Sequence, residues 1–279
     1  MSSHPEAGLA SLSLVTAARQ HDDSYSDYWR RFWDAPPRTY AGVSVGERDR
    51  IDAVVSLLPS DVGMILEVGC GDGLVANRLR DLGYNVVGSD IEAGALDHLD
   101  VPTRVGSIDA LPAEDLEFDC VLAADVLEHL PSKTFERARA ELARVARRYI
   151  VINSPHEERL VIAQTQCGHC ATAFHSSRHT RSISLAEARD WFVDFDLETS
   201  KLCGERVRPR QVWLQRLGQF AGHWYVAPAA VCPNCWYPAD TRRGSSLVRF
   251  SFGAAHRLVG LFTHPRSTEF AALYRRRVL

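Results

Sequence analysis

The heptapeptide EVGCGDG at residues 67–73 is the feature that restricts the fold of this chain most. It closes the short apolar segment 64–68 and precedes a helical pattern over residues 74–82. Because glycine has no Cβ, its backbone can turn sharply and a ligand can approach it closely. Open parallel sheets bind ligands at the carboxyl ends of their strands, where the strand order reverses. We therefore predict a ligand site at this strand-to-helix turn.

Strand-like and helical patterns alternate along most of the chain, which predicts right-handed βαβ units and a parallel sheet. The predicted strands are residues 64–68, 85–89, 103–106, 118–123, 149–153, 196–202 and 269–275. The predicted helices are residues 47–58, 74–82, 133–147, 184–192 and 246–262. The expected fold class is α/β, with a doubly wound, mostly parallel seven-stranded sheet.

This pattern divides the chain into four regions. Residues 1–45 are expected to form an N-terminal helical cap, because aromatic residues recur at helical spacing within residues 24–34. That aromatic segment can serve as a lid over the site or pack as a core helix. Residues 46–155 form the half that contains the glycine-rich turn. Residues 156–245 are an insertion that includes one helix and one strand of the main sheet, and residues 246–279 supply the last helix and strand.

Length and charge exclude some functions. With 279 residues, the chain can form one full domain and an elaboration. Its formal net charge of −3 argues against a protein whose main task is to hold polyanions. No apolar run approaches the ~20 residues needed to cross a bilayer, so we expect no membrane partner. The residues before Arg19 lack the basic stretch of a signal peptide, and we expect a cytosolic protein of undetermined oligomeric state.

Acidic residues beside the glycine-rich turn indicate the kind of ligand. The spacing G-x-G-x-G differs from the G-x-G-x-x-G of dinucleotide-binding turns. Glu67, two residues before the first glycine, would repel a pyrophosphate but suits an ammonium group. Asp90 ends the second strand, where a carboxylate can accept both hydroxyls of a ribose. Asp109 follows the third strand, where a carboxylate can accept an adenine amino group.

The segments ILEVGCGDG, GSIDALP and FDCVLAADVLEHL, with Asp90 between the first two, resemble successive motifs of class I S-adenosylmethionine-dependent methyltransferases. The resemblance spans roughly residues 45–155 and implies the Rossmann-like methyltransferase fold. It also implies that the turn holds the methionine part of S-adenosylmethionine, with Glu67 at its amino group, Asp90 at the ribose and Asp109 at the adenine. The other implied cofactor-binding residues are Gly69, Cys70, Gly71, Gly73, Ile91 and Ile108.

Four of the seven cysteines form two C-x-x-C pairs, Cys167 with Cys170 and Cys232 with Cys235. The odd total in a reducing compartment argues against a disulfide framework and favours metal binding. Four thiolates in a tetrahedron form a closed structural zinc site. The competing ligands are the three histidines of the insertion, and the alternatives to zinc are a redox pair or unliganded thiols. The competing histidines are His169, His175 and His179.

Two histidines follow strands that should end near the methyl group to be transferred. His129 follows the fourth strand and His156 the fifth, and an imidazole there can act as a base near neutral pH. The opposing interpretation is that His129 braces a loop and His156 is a solvated turn residue. The segment Asp125-Val-Leu-Glu128-His129 also resembles the acid-x-x-Glu-His segment of ubiquinone-type O-methyltransferases, which can hold a divalent metal.

The favoured function is methyl transfer from S-adenosylmethionine to an oxygen or nitrogen of a small-molecule acceptor. One alternative is an RNA methyltransferase that uses its zinc module to contact RNA. The acidic balance of the chain and the absence of a Lys/Arg-rich module around the cysteines argue against it. Another alternative is a protein that binds S-adenosylmethionine without transferring the methyl group.

Overall fold

The computed structural model describes residues 37–225, 230–237 and 246–277, without the side chains of residues 246–249. The predicted aromatic helix at residues 24–34 lies outside this part of the chain. In chain order, the helices and strands are α1 (Val45–Leu57), β1 (Met64–Val68), α2 (Leu74–Asp81), β2 (Asn85–Asp90), α3 (Ala93–Leu96), β3 (Thr103–Val105), β4 (Phe118–Ala124), α4 (Ser132–Val145), β5 (Ala146–Pro155), β6 (Gln164–Gln166), β7 (Ala173–His175), α5 (Leu185–Ala188), β8 (Phe195–Val207), α6 (Val212–Phe220), α7 (Ser246–Gly260) and β9 (Arg266–Arg276).

Seven strands form one sheet in the order β3-β2-β1-β4-β5-β9-β8. The first five are parallel, and β9 is antiparallel to both β5 and β8. The strand order reverses between β1 and β4, so the carboxyl ends of these two strands form the switch point where such sheets bind ligands. The predicted doubly wound, mostly parallel seven-stranded sheet is confirmed.

Both faces of the sheet are covered, as the near-continuous apolar strands require. Alternate residues of β4 separate to the two faces: Val121 joins a core that includes α4, whereas Leu122 joins a core that includes α1 and α2. Helix α1 begins with a capping box, in which the Ser44 hydroxyl accepts the Glu47 N–H and the Glu47 carboxylate accepts the Ser44 N–H. Among the described residues, every helix falls short of the length and apolarity that a membrane span needs.

The predictions were least accurate in the second half of the chain. The expected helix over residues 184–192 ends at Ala188, although Ser184 caps it as predicted. No helix or strand was predicted between residues 202 and 246. In the structure, β8 continues to Val207 and α6 follows at Val212–Phe220. Helix α6 has no side-chain cap at its N-terminus, so the usual start signal is missing. The hairpin of β6 and β7 was not predicted either.

We predict that Tyr274→Phe lowers the free energy of unfolding by about 0.5–1.5 kcal/mol. The buried Tyr274 hydroxyl donates to the Ala188 carbonyl at 2.8 Å and so ties β9 to α5. Urea denaturation with an unchanged m-value measures the loss. Tyr40→Phe is the control, since the Tyr40 hydroxyl contacts Asp52 on the surface and should change stability by less than about 0.5 kcal/mol. Equal effects in the two variants would contradict the prediction.

Candidate functional site

The glycine-rich turn lies at the switch point, between the end of β1 and the start of α2. Gly69, Gly71 and Gly73 have φ angles of 68°, 51° and 76°, in the left-handed region that glycine tolerates best. A Cβ on Gly69 would lie 2.1 Å from the Val126 side chain. Both the conformation and the space therefore require glycine at position 69.

Asp90 holds the turn from the end of β2. Its Oδ2 accepts the Gly71 N–H at 2.9 Å, and its Oδ1 accepts the Glu92 N–H at 3.0 Å. Burial raises the pKa of this carboxyl above its usual value, and hydrogen bonds from the backbone N–H groups of Glu92, Gly71 and Ile91 oppose that shift. The two oxygens of a carboxylate offer about four lone-pair sites. Asp90 can therefore keep these backbone bonds and still accept a hydroxyl group from a ligand.

Glu67 is a buried acid, with 3% of its surface exposed, at the carboxyl end of β1. Its Oε2 has no hydrogen-bond partner in the part of the chain that the structure describes. Burial raises the pKa of Glu67 to about 8, although the Arg50 charge and the Ala76 N–H oppose that shift. Protein interiors rarely leave such an oxygen unpaired, and a cationic donor on a ligand would satisfy it.

The remaining predicted cofactor residues surround the turn less closely. Cys70 is buried, Ile108 packs against the main core, and Ile91 is exposed. Asp109 already has two partners, since it accepts the Ser107 hydroxyl at 2.5 Å and forms a 2.5 Å ion pair with Arg137. Its role at an adenine remains a prediction, as do the roles of the other residues of this set.

Arg50 lies buried beside these acids. It was not among the site residues predicted from the sequence. Its guanidinium is 3.2 Å from Asp125 and 3.5 Å from Glu269, and it donates to Asn153 Oδ1 at 3.2 Å. Burial and the nearby Asp125 charge raise the pKa of Glu269 to about 8. Arg38 is a second cation near these groups and pairs with Asp72 at 2.8 Å. Because two arginines face more than two carboxylates, the carboxyl ends of β1, β4 and β5 form an acidic region.

The two predicted catalytic histidines have different surroundings. His129 ends a 3₁₀ turn, Leu127–His129, after β4, and burial lowers its pKa to about 3. Its ring therefore stays neutral at physiological pH. His156 pairs with Ile183 in an isolated bridge, and its Nδ1 is buried with no hydrogen-bond partner among the residues described. The role of either histidine as the base that removes a proton from an acceptor remains a prediction.

The four predicted metal cysteines converge, and their sulfur atoms all lie within 4.8 Å of one another. The Cys167–Cys235 and Cys170–Cys232 sulfur pairs are each 3.5 Å apart. Four sulfurs bound tetrahedrally to zinc at 2.3 Å would be about 3.8 Å apart. The thiols therefore fit a zinc ion without rearrangement.

The two C-x-x-C loops have the same backbone design. The residue after each second cysteine is left-handed, with φ of 59° at Ala171 and 60° at Trp236. Its N–H bonds to the carbonyl of the first cysteine, from Ala171 to Cys167 and from Trp236 to Cys232, both at 3.0 Å. The first cysteine of each loop also accepts a backbone N–H on its sulfur, from His169 and Asn234 respectively. Such bonds stabilise thiolates and complete the ligand shell of a metal.

Known proteins match the half of the chain that contains the turn. Residues 66–149 match the family described as "Methyltransferase domain". A ubiquinone biosynthesis O-methyltransferase from Xanthomonas oryzae pv. oryzae is 30% identical over 124 residues, which are 40% of this chain and 51% of that protein. A magnesium-protoporphyrin O-methyltransferase from Synechocystis is 26% identical over 160 residues, which are 52% of this chain and 70% of that protein. The chain thus spans only about half the length of the Xanthomonas oryzae protein, and it spans 34% of the length of a ubiquinone biosynthesis O-methyltransferase from Bartonella tribocorum.

The fold also resembles a solved structure, the magnesium protoporphyrin IX methyltransferase from Synechocystis PCC 6803 with bound SAH. The TM-score is 0.51 at 14% identity, over 94% of this chain and 99% of that one. This chain therefore has the fold of the class I S-adenosylmethionine-dependent methyltransferases. Within it, residues 66–149 match the methyltransferase-domain family.

We predict that Glu67→Gln stabilises the ligand-free protein in a pH-dependent way. Below about pH 4.5 the Glu67 carboxyl is protonated in both the folded and the unfolded chain, so the variant and the parent should melt alike. As pH rises towards about 8, the unfolded chain ionises Glu67 while the folded chain resists, which destabilises the parent only. The difference in melting temperature should therefore grow between these pH values, as measured by calorimetry. A difference that does not change with pH would contradict the prediction.

Proposed function

We propose that this chain transfers a methyl group from S-adenosylmethionine to an oxygen of a small-molecule acceptor. The observation that carries the proposal is Glu67, a buried acid beside the glycine-rich turn whose Oε2 has no hydrogen-bond partner among the described residues. When bound, S-adenosylmethionine supplies a methyl group on a positively charged sulfur, and it also carries an ammonium group. The acidic surroundings of Arg50 favour a cationic ligand, and Glu67 would pair with the ammonium.

Asp90 and the turn would bind the rest of the cofactor. The Asp90 oxygens retain lone-pair capacity for a ribose hydroxyl, and the left-handed glycines Gly69 and Gly71 shape the turn beside it. The oxygen acceptor is inferred from the two kinds of relative, which are both O-methyltransferases. Transfer itself needs alignment of the acceptor, together with loss of its proton to a base such as His156 or His129.

Zinc belongs to the same proposal as a structural ion. Four cysteine ligands leave no open position for water or substrate, so the metal would not take part in the chemistry. The first loop is the tip of the β6–β7 hairpin, and the second lies in the described segment 230–237. The zinc would join two parts of the insertion whose own apolar cluster is small, with Phe174 and Ala230 as its non-cysteine members.

RNA methylation is a second candidate, because charge is distributed unevenly along the chain. Residues 206–268 contain nine arginines and one acidic residue, Asp240. This stretch includes the second C-x-x-C pair, so a basic segment does accompany one half of the cysteine site. Some of its charge is used internally, as Arg208 donates to the Gly260 carbonyl and Arg266 pairs with Glu157.

The activity test is formation of S-adenosylhomocysteine with panels of hydroxylated aromatic acceptors, carboxylic acids, amines and total RNA. Methylation of a hydroxyl or carboxyl compound supports the proposal, and methylation of RNA alone supports the second candidate. Cofactor binding with no turnover on any panel would instead favour a protein that binds S-adenosylmethionine without transferring its methyl group.

We predict that Asp90→Ala weakens S-adenosylmethionine binding at least tenfold, since it removes charge-assisted hydrogen bonds worth about 1.5–3 kcal/mol. Isothermal titration calorimetry measures the change. Asp90→Asn retains one acceptor oxygen and separates loss of ligand contact from collapse of the turn. Asp115→Ala is the control, because Asp115 precedes β4 and so lies at the amino end of that strand, opposite to the carboxyl ends where the turn lies. Unchanged affinity in Asp90→Ala would remove the ribose role.

We predict one zinc per chain bound to the four cysteines, and its loss in Cys232→Ser. Because thiolate binding is coupled to folding, this variant should also melt at a lower temperature. Elemental analysis and thermal melting measure both effects. His169→Ala is the matched control, since His169 lies in the same loop as Cys167 and should leave the zinc content unchanged. A zinc-free parent, purified without chelator, would contradict the prediction.

A further inference from the structure

A carboxylate and a histidine outside the cysteine site form a pair beside the end of β4. Glu158 Oε2 lies 2.5 Å from His179 Nδ1, although the two residues are 21 positions apart in the chain. Glu158 follows the end of β5, and His179 belongs to the irregular stretch after β7. The pair therefore joins the insertion to the carboxyl ends of the parallel strands.

Glu158 fixes the tautomer of His179. Burial opposes ionisation of Glu158, but hydrogen bonds from His175 and His179 lower its pKa to about 2. Because an ionised carboxylate can only accept hydrogen bonds, the proton of the neutral His179 ring is on Nδ1. Its lone pair is then on Nε2. Within the described residues, no group other than Glu158 hydrogen-bonds to the His179 ring, so Nε2 is available to a ligand.

His175 supports Glu158 from the other side. Its Nδ1 accepts the backbone N–H groups of Ser177 and His179, at 3.3 and 3.2 Å. The proton of its neutral ring must then be on Nε2, which lies 3.1 Å from Glu158 Oε1. The rings of His175 and His179 stack with 4.6 Å between their centroids. Both imidazole protons therefore point at Glu158, and His179 is the ring whose lone pair these bonds leave unused.

His129 braces the segment that carries His179. Its ring hydrogen-bonds to the backbone of Arg178, and it meets the His179 ring edge to face, with 4.7 Å between the centroids. On the other side of His179, Thr180 donates its N–H to the Glu128 carbonyl at 2.8 Å. The neighbours of His179 are thus bound to the 3₁₀ turn after β4. Burial lowers the pKa of His129 itself to about 3, which makes it a weak base at neutral pH.

The pair lies at the same end of the sheet as the candidate cofactor site. A ring nitrogen of His179 and a carboxylate oxygen of Glu128 lie within 4.8 Å of each other. The Asp125 charge acts on Glu128, and Asp125 pairs with Arg50 at 3.2 Å. The Arg50 charge in turn acts on Glu67 beside the glycine-rich turn. The His179 side chain is 12% exposed, so a molecule bound in this region can reach it.

We propose that His179 is the base that takes the proton of the acceptor hydroxyl, and that Glu158 positions it. The inference rests on the proposed function, because it names the residue that removes the proton in methyl transfer to oxygen. The hydroxyl proton moves to His179 Nε2, and the acceptor oxygen bonds to the methyl carbon. The methyl–sulfur bond breaks and leaves its electron pair on sulfur. The Glu158 carboxylate stabilises the imidazolium that forms, whose proton then passes to water.

The first measurement is the tautomer of His179, which needs no acceptor. Long-range proton–nitrogen NMR correlation spectra of the full-length protein distinguish a ring protonated at Nδ1 from one protonated at Nε2, and His179→Ala assigns the signals. We expect protonation at Nδ1 alone in the parent at neutral pH, and a mixture of tautomers in Glu158→Ala. Protonation of Nε2 in the parent would overturn the proposal, because the ring would then have no lone pair for the acceptor proton.

The second measurement compares catechol with 4-nitrocatechol as acceptors. The nitro group makes a hydroxyl acidic enough to ionise near neutral pH, so this acceptor needs little help from a base. We expect His179→Ala to lower kcat by roughly 10²–10⁴-fold with catechol and by less than about tenfold with 4-nitrocatechol. Glu158→Gln should lower kcat with catechol by at least about tenfold. His169→Ala should behave like the parent. Melting temperature and cofactor affinity verify that each variant is folded.

Equal losses with the two acceptors, or parent-like turnover by folded His179→Ala, would overturn the base role. A loss with catechol that is confined to His156→Ala would also overturn it, and would assign the base to that histidine. These results are distinct from failure of the proposed function. If the parent binds S-adenosylmethionine but methylates no hydroxyl compound, the function fails and the base role with it, whatever the tautomer of His179.

Discussion

Arg50 is the charge on which the arrangement of the ligand site depends. It lies on α1 with 4% of its surface exposed, and it contacts Asp125 after β4, Asn153 on β5 and Glu269 on β9. Because removal of one partner from a buried charge cluster is strongly destabilising, these contacts fix α1 across the carboxyl ends of the strands. The same charge limits how many of the surrounding acids can ionise without a ligand.

The buried acids at this end of the sheet would carry more negative charge, if all were ionised, than the single positive charge of Arg50 can balance. Glu67, Glu128 and Glu269 all have raised pKa values, chiefly because of burial. Within the described residues, two of them also have an oxygen without a hydrogen-bond partner, Oε2 of Glu67 and Oε1 of Glu128. A cationic ligand group, such as the ammonium of the proposed cofactor at Glu67, would reduce this imbalance. Ligand binding and stability therefore oppose each other at this site, as is common where function requires buried charge.

Local patterns predicted the sheet and the glycine-rich turn, because strand alternation and positive φ angles are properties of neighbouring residues. The cysteine site was predictable for the same reason, since each half is one C-x-x-C loop. Arg50 and His179 were not predictable in this way. Their importance depends on which elements the topology brings together, and a single arginine in a helix or histidine in an irregular stretch carries no such signal. His179 was considered only as a competitor of the cysteines.

The insertion connects the four-cysteine cluster to the end of β4 through the backbone. The first cysteine loop is the tip of the β6–β7 hairpin, and His175 ends β7 on the way to His179. At the other side, Thr180 donates its N–H to the Glu128 carbonyl at 2.8 Å and its hydroxyl to the Leu130 carbonyl at 2.9 Å. His179 is thus held between the hairpin and the 3₁₀ turn after β4. A zinc ion at the hairpin tip would restrict this segment, and a structural site would in that way help to hold the insertion against the end of β4.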